Sequence, residues 1–227
     1  SIRLLTDQTM IENLTNEEKE EAAHSSYAYY TLSTTPPATN CPQARDEAAM
    51  KMARRHLVAE KDNMDKALEA MKETITFRKE RQINDIRSAF QDISDTPNDR
   101  TSKIRSHYRA EIESELSKQA QVVYGYDKQG SAIIIKFPRY DSNTDIDSFI
   151  DTHIYIAERA IACTESKTNG GLETICVVLD YADYSRGNLP PVKMVIHLVG
   201  VLQKHYPERL AYCALVGAPV MLRGLWR

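Results

Sequence analysis

Six histidines and four cysteines are the side chains of this sequence best able to attack, move a proton or hold a metal. Their spacing assembles no such device. Cys41, Cys163, Cys176 and Cys213 form no Cys-x-x-Cys pair and no Cys/His ligand spacing, so neither a zinc site nor a thioredoxin-like motif finds support. His197 and His205, the histidines best placed for acid–base work, stand among apolar neighbours with no Ser or Cys nucleophile near in sequence, and read as core or surface groups. The glycine-rich phosphate loops, the nucleophile elbow and the His-Glu-x-x-His zinc pattern are all missing from the sequence. Asp180 ends an apolar run, which is where open α/β sheets bind ligands and also where a short acceptor caps a following loop. Lys51, Arg54, Arg55 and Lys61 make a basic stretch that suits phosphate, but Glu60, Asp62 and Asp65 cancel much of its field, as on a solvated helix face. No catalytic constellation, cofactor motif or metal site is legible in these residues.

The bulk properties bound what can be bound. The 29 Lys plus Arg against 32 Asp plus Glu leave a formal charge of −3, so no global positive field attracts nucleic acid, and the basic residues are not interleaved with aromatics. A hydrophobic share of 42% in 227 residues supports one sizeable core with a helical appendage and excludes a disordered chain. Cys176 and Cys213 sit inside apolar runs as small buried residues, which favours a reducing, cytoplasmic setting. No stretch reaches the roughly 18 apolar residues of a membrane span, since Lys193 and His197 break the run from Val192 to Leu202. The first residue is not Met, and Val220-Met-Leu-Arg-Gly-Leu-Trp-Arg227 reads as the opening of an amphipathic helix, so the sequence is expected to be a segment of a longer chain.

The elements that would position any site follow from periodicity. Residues 1–42 are polar, with a capping box from Thr15 to Glu18 and then Thr34-Thr-Pro-Pro37, and predict a short helix and a loose linker. Residues 43–120 predict a helical lobe. Ala48, Met52 and His56 share one helix face, Asn63 caps a second helix carrying Ala67, Met71 and Ile75, Ile83, Ile86 and Phe90 mark a third, and Ile104, Tyr108, Ile112 and Leu116 line a fourth after the Asp95 to Asp99 break. From residue 121 to 227 the grammar becomes α/β. Two β-rich runs flank the Asp127-Lys-Gln-Gly130 turn, a helix follows from Asp145 to about Thr164, and Ile175 to Leu179 reads as a strand covered on both faces. After the Gly187 to Pro191 connection, a helix from Val192 to Tyr206 and a strand from Leu210 to Val216 complete a mostly parallel sheet flanked by helices.

Four segments in order give the sequence its likeness. They are Arg54-Arg-His-Leu-Val-Ala59 running through Asn63 to Phe77-Arg78; Tyr126-Asp-Lys-Gln-Gly130 with Ile133-Ile134; Glu158-Arg159 with Val177-Val-Leu-Asp180; and Leu202-Gln-Lys-His-Tyr-Pro-Glu-Arg-Leu210 through Gly217-Ala-Pro219 to Trp226. Over residues 48 to 227 this order resembles the CRAL-TRIO lipid-binding family, whose relatives include phosphatidylinositol transfer, tocopherol transfer and retinaldehyde-binding proteins. The resemblance implies a helical lobe, then a sheet that floors an apolar pocket enclosing a lipid's hydrocarbon, with a mobile helix as gate beyond Trp226. It implies intracellular lipid binding and transfer without catalysis, a transient peripheral contact with membranes, phosphatidylinositol-type phospholipid as the favoured ligand, and a lipid-modulated regulatory domain for trafficking or signalling partners as the alternative role.

The same resemblance assigns residues. Lys61 and Glu208 match headgroup-contacting positions of phosphoinositide-binding relatives, whereas a neighbouring basic position is Glu60, a charge reversal. Read from the residues alone, Lys61 is equally an exposed helix-end cation and Glu208 a partner for Arg209 or for a helix-terminal backbone group. Val123, Ile134 and Ile175 stand where phosphatidylcholine-binding relatives carry Tyr and Ser, and with Val177, Leu179, Tyr212 and Ala214 they are the implied pocket lining. Apolar residues at these positions leave a phosphocholine group short of hydrogen bonds, which shifts weight toward a tocopherol, retinoid or sterol-like ligand.

Overall fold

The computed structural model describes residues 2–34, 42–91, 100–141, 145–183 and 191–218. The linker at 35–41 with Cys41, the break at 95–99, the connection at 187–190 and the helix expected over 220–227 lie outside them.

The chain opens with three short helices, α1 (Ile2–Glu12), α2 (Asn16–Ala23) and α3 (Tyr27–Thr34). The expected capping box starts α2: the Glu18 amide donates to Thr15 Oγ1 at 3.2 Å and the Thr15 amide to Glu18 Oε2 at 2.7 Å. Where the sequence suggested one helix and a linker, three helices form because a few residues reach a shared core. Met10, Ile11, Leu14, Ala22, Ala23 and Tyr29 pack against Ala49, Met52, Ala53 and Leu57 of α4 (Pro42–Ala59) and Met71 and Ile75 of α5 (Met64–Glu80). The Lys66 amide donates to Asn63 Oδ1 at 3.2 Å, so Asn63 caps α5 as its type and place suggest. Two more helices, α6 (Ile83–Arg87) and α7 (Arg100–Leu116), lead to the sheet.

The sheet contains β1 (Gln121–Tyr126), β2 (Ala132–Lys136), β3 (Ile175–Asp180) and β4 (Leu210–Val216), side by side in that order. β1 and β2 are antiparallel across the Asp127 to Gly130 turn, and β2, β3 and β4 are parallel, as the alternation of strand and helix implied. The two crossovers are α8 (Ile146–Lys167) and α9 (Val192–His205). A second core joins Ile83, Ile86 and Ile112 to Phe149, Ile150 and Ile154 of α8 and Met194 and Leu198 of α9, and a third holds α8 against the sheet. Among the described residues no helix is long and apolar enough to cross a membrane.

Candidate functional site

Successive strand residues point to opposite faces, so register assigns each sheet position to a side. One cross-strand row is Val123, Ile134, Val177 and Cys213; the next is Val122, Ile135, Val178 and Ala214. The first row faces α8, because Val123, Ile134 and Val177 pack with Ala132, Ile175 and the helix residues Ile156, Ala160 and Ile161. The second therefore lies on the face away from α8. There Val122, Tyr124, Tyr212 and Val216 are exposed and Ile133, Ile135, Val178 and Ala214 half-buried, on strands whose composition is that of a buried sheet.

Of the seven residues expected to line a pocket, Tyr212 and Ala214 lie on this uncovered face. Val123, Ile134, Ile175 and Val177 instead fill the contact with α8, and Leu179 shares their side by register. That difference has a simple cause. A strand apolar at every position carries no alternation to show which side a helix covers.

α9 adds a second uncovered apolar surface. Its Met194 and Leu198 are buried in the core with α8, but Val192, Val195, Ile196 and Val199 are exposed. The sequence signal was present: the helix is apolar on too wide an arc for one buried stripe.

The polar candidates are separate from one another. Lys61 and Glu208 are both exposed, in turns with φ of 54° and 56°, and no hydrogen bond or ion pair joins them among the described residues. Glu208 is not the partner of Arg209, which is buried and takes Glu173 at 3.3 Å and Glu165 at 3.6 Å. Tyr206 and Pro207 end α9, the structural task their types suggested. Asp180 caps its loop: its carboxylate accepts from the Ala182 amide at 2.9 Å and meets Arg139 at 3.3 Å. His197 is exposed; His205 stacks on Phe77 with ring centroids 4.0 Å apart. Among the described residues no group of three or more His, Cys, Asp and Glu is placed to hold a metal ion.

What sequence reasoning missed is a buried charge network between the helical lobe and the α/β half. Arg78 of α5 donates to Glu158 of α8 at 3.0 Å, to Glu21 of α2 at 3.1 Å and to Asn84 at 3.2 Å, while the Tyr206 hydroxyl donates to Glu158 at 3.0 Å. Burial opposes both charges, yet Glu158 and Glu21 hold the Arg78 guanidinium above its usual range, and Arg78 and Arg87 keep the Glu158 carboxyl low. A second knot ties Arg55 of α4 to Glu173 and Ser25, and Arg209 to the Ser25 carbonyl at 3.0 Å. The available signal was Glu158 itself, a carboxylate set between Ile154 and Ile161 on the apolar side of its helix.

Two concavities accompany these groups. An open groove of about 690 Å³ runs between α5 and α9, with Leu68 and Phe77 among acidic residues such as Glu69 and Glu73. A cleft of about 10 Å³, room for roughly one water, is bordered by Arg55, His56, Arg78 and Glu158. Among the described residues the His56 Nε2 has no hydrogen-bond partner, and burial, with Arg55 and His205 nearby, lowers its pKa to about 3.

Comparison with known proteins fits this architecture. Residues 116–227 match the CRAL/TRIO domain. The chain is 25% identical over 171 residues to phosphatidylinositol transfer protein PDR17 of Saccharomyces cerevisiae, covering 73% of this chain and 43% of that protein. It is 26% identical over 117 residues to a CRAL-TRIO domain-containing protein of Schizosaccharomyces pombe, covering 52% of this chain and 11% of that one. The chain thus spans less than half the length of these curated relatives. The crystal structure of Sfh5 superposes with a TM-score of 0.54 at 15% identity, over 93% of this chain and 74% of that one, a likeness of fold.

Proposed function

From the CRAL/TRIO domain that this chain carries over residues 116–227, we propose that the protein binds a lipid by its hydrocarbon and exchanges it with membranes inside the cell, with a phosphatidylinositol-type phospholipid as ligand. The supporting observation is the sheet face away from α8. Val122, Ile135, Val178 and Ala214 form an unbroken apolar row across four strands, flanked by Ile133 and Tyr212, and α8 packs on the other side. A soluble protein seldom leaves so much contiguous apolar surface without a use for it. Hydrocarbon suits it: each methylene taken from water contributes about 0.8 kcal/mol, nearly what the bilayer interior offers, so uptake and return are close to balanced. The choice of a phosphatidylinositol-type headgroup is supported by the similarity to the yeast transfer protein and by the exposure of Lys61 and Glu208.

The test is lipid extraction and mass spectrometry of the purified protein, with transfer of a fluorescent phosphatidylinositol between vesicles. Val178→Trp and Ala214→Trp fill the uncovered face and are expected to lower both co-purified lipid and transfer several-fold, with little change in Tm. Absence of lipid from the unmodified protein, or indifference to both substitutions, refutes the reading.

A further inference from the structure

α9 is built for two partners and the described residues supply one. Eight of its 14 residues are Val, Ile, Leu or Met. Met194 and Leu198, with Val201 and Leu202 beside them, meet α8 and the helical lobe. Val192 at 66%, Val195 at 37%, Ile196 at 66% and Val199 at 44% exposure recur at steps of three and four and form a second stripe on the solvent side. Isolated exposed apolar residues are ordinary; four aligned on one helix are a surface.

The full charges carried by α9 itself have one sign. α9 contains no Asp or Glu, while Lys193 and His197 are exposed along one flank. Lys204, at the far end, has its ammonium 3.2 Å from Glu73 of α5, so it belongs to the acidic groove and not to the stripe. An apolar stripe with a lysine at its edge and no carboxylate on its helix is the pattern of a helix lying in a membrane interface, where aliphatic groups enter the acyl boundary and the cation meets anionic headgroups. At 14 residues and about 1.5 Å per residue, α9 is too short to span a bilayer and long enough to lie along one. A protein partner would need a matching groove for this convex ridge of β-branched side chains; a bilayer deforms to accept it.

We infer that the outward stripe of α9, Val192, Val195, Ile196 and Val199 with Lys193 at its edge, is the surface by which this protein docks on a membrane containing anionic lipid. It rests on the proposed lipid exchange only for the reason to visit a membrane, since docking is measurable whether or not lipid is carried.

The experiment is flotation of the purified protein with vesicles of phosphatidylcholine alone or mixed with phosphatidylserine, at low and at physiological salt. The unmodified protein is expected to float with the mixed vesicles and to bind less as salt rises. Ile196→Asp lowers that binding roughly tenfold, and Val192→Ser lowers it less. Lys193→Glu removes the preference for phosphatidylserine. Tyr124→Asn, on the uncovered sheet face, leaves flotation unchanged. Circular dichroism checks that each variant is folded. Failure of the unmodified protein to float, wild-type flotation by both Ile196→Asp and Val192→Ser, or loss of flotation in Tyr124→Asn instead, overturns the assignment. Lipid content measured on the same samples separates the two readings: flotation through α9 by a protein that carries no lipid supports docking and refutes carriage.

Discussion

Residue by residue, burial pushes several histidines below their ordinary titration range, and that shapes how stability responds to acid. His56 is 2% exposed and its pKa falls from 6.5 to about 3. Between those values the unfolded chain binds the proton and the folded one does not, so stability rises with pH across that window and is lost as pH falls below about 6.5. At pH 5 the cost from His56 is about 2 kcal/mol relative to neutral pH. His205, lowered to about 4 by burial and by Lys204, acts in the same direction more weakly because it is half-exposed. Urea denaturation at pH 7.5 and pH 5 measures the slope. His56→Phe, which keeps the ring's volume, is expected to flatten it; a variant with the unmodified slope shows that His56 is not the source. Little of this was visible in sequence. His56 reads there as one more residue on an apolar helix face, and it is burial in the folded chain, with its neighbour Arg55 and the approach of His205 adding to it, that makes it a group that refuses a proton.

At the level of elements, local signals were read well and facing was not. Caps at Thr15, Asn63 and Asp145 all form, because each is satisfied by amides three residues away and needs no tertiary information. The β1–β2 turn is as local: Asp127 Oδ1 accepts from the amides of Gln129, Gly130 and Ser131 at 2.8 to 2.9 Å. Its tightest constraint is tertiary. Gly130 has φ of +103°, and a Cβ there would stand 2.8 Å from Thr168 Cγ2 at the end of α8. Gly130→Ala is therefore expected to cost about 1–3 kcal/mol and to lower Tm by several degrees, which a thermal melt by circular dichroism would detect; an unchanged Tm shows that the turn relaxes freely. The facing of the strands, by contrast, waits on α8. Val177 and Val178 are the same residue type and neighbours in sequence, yet one packs under a helix and the other forms part of the uncovered row. Likewise α1 and α3 were hidden because they are short and gain their value only in packing, α1 against α4 and α5 and α3 chiefly against α8.

In the whole molecule, the helical lobe and the α/β half are joined by charges neither half can bury alone. Arg78 sits 4% and Glu158 3% exposed, each with most of its partners in another element. Removing Arg78 leaves the buried Glu158 with only Arg87 at 3.6 Å and the Tyr206 hydroxyl to offset its charge, so Arg78→Met is expected to cost about 3–5 kcal/mol. Arg78→Met with Glu158→Leu, which removes both, is expected to cost less than the sum of the single changes. Guanidinium denaturation of the four proteins completes the cycle, and additive losses would show that the pair is not coupled.

The knot at Ser25 has a consequence in time. Its carbonyl accepts from Arg209, 184 positions later in the chain, and the Tyr27 amide that begins α3 donates to Glu165, 138 positions later. At a synthesis rate of roughly 5–20 residues per second, the amino-terminal helices emerge from the ribosome on the order of ten to forty seconds before the arginine that completes them. During translation the earlier segment waits without these partners, so a turn made later in the chain locks one made earlier.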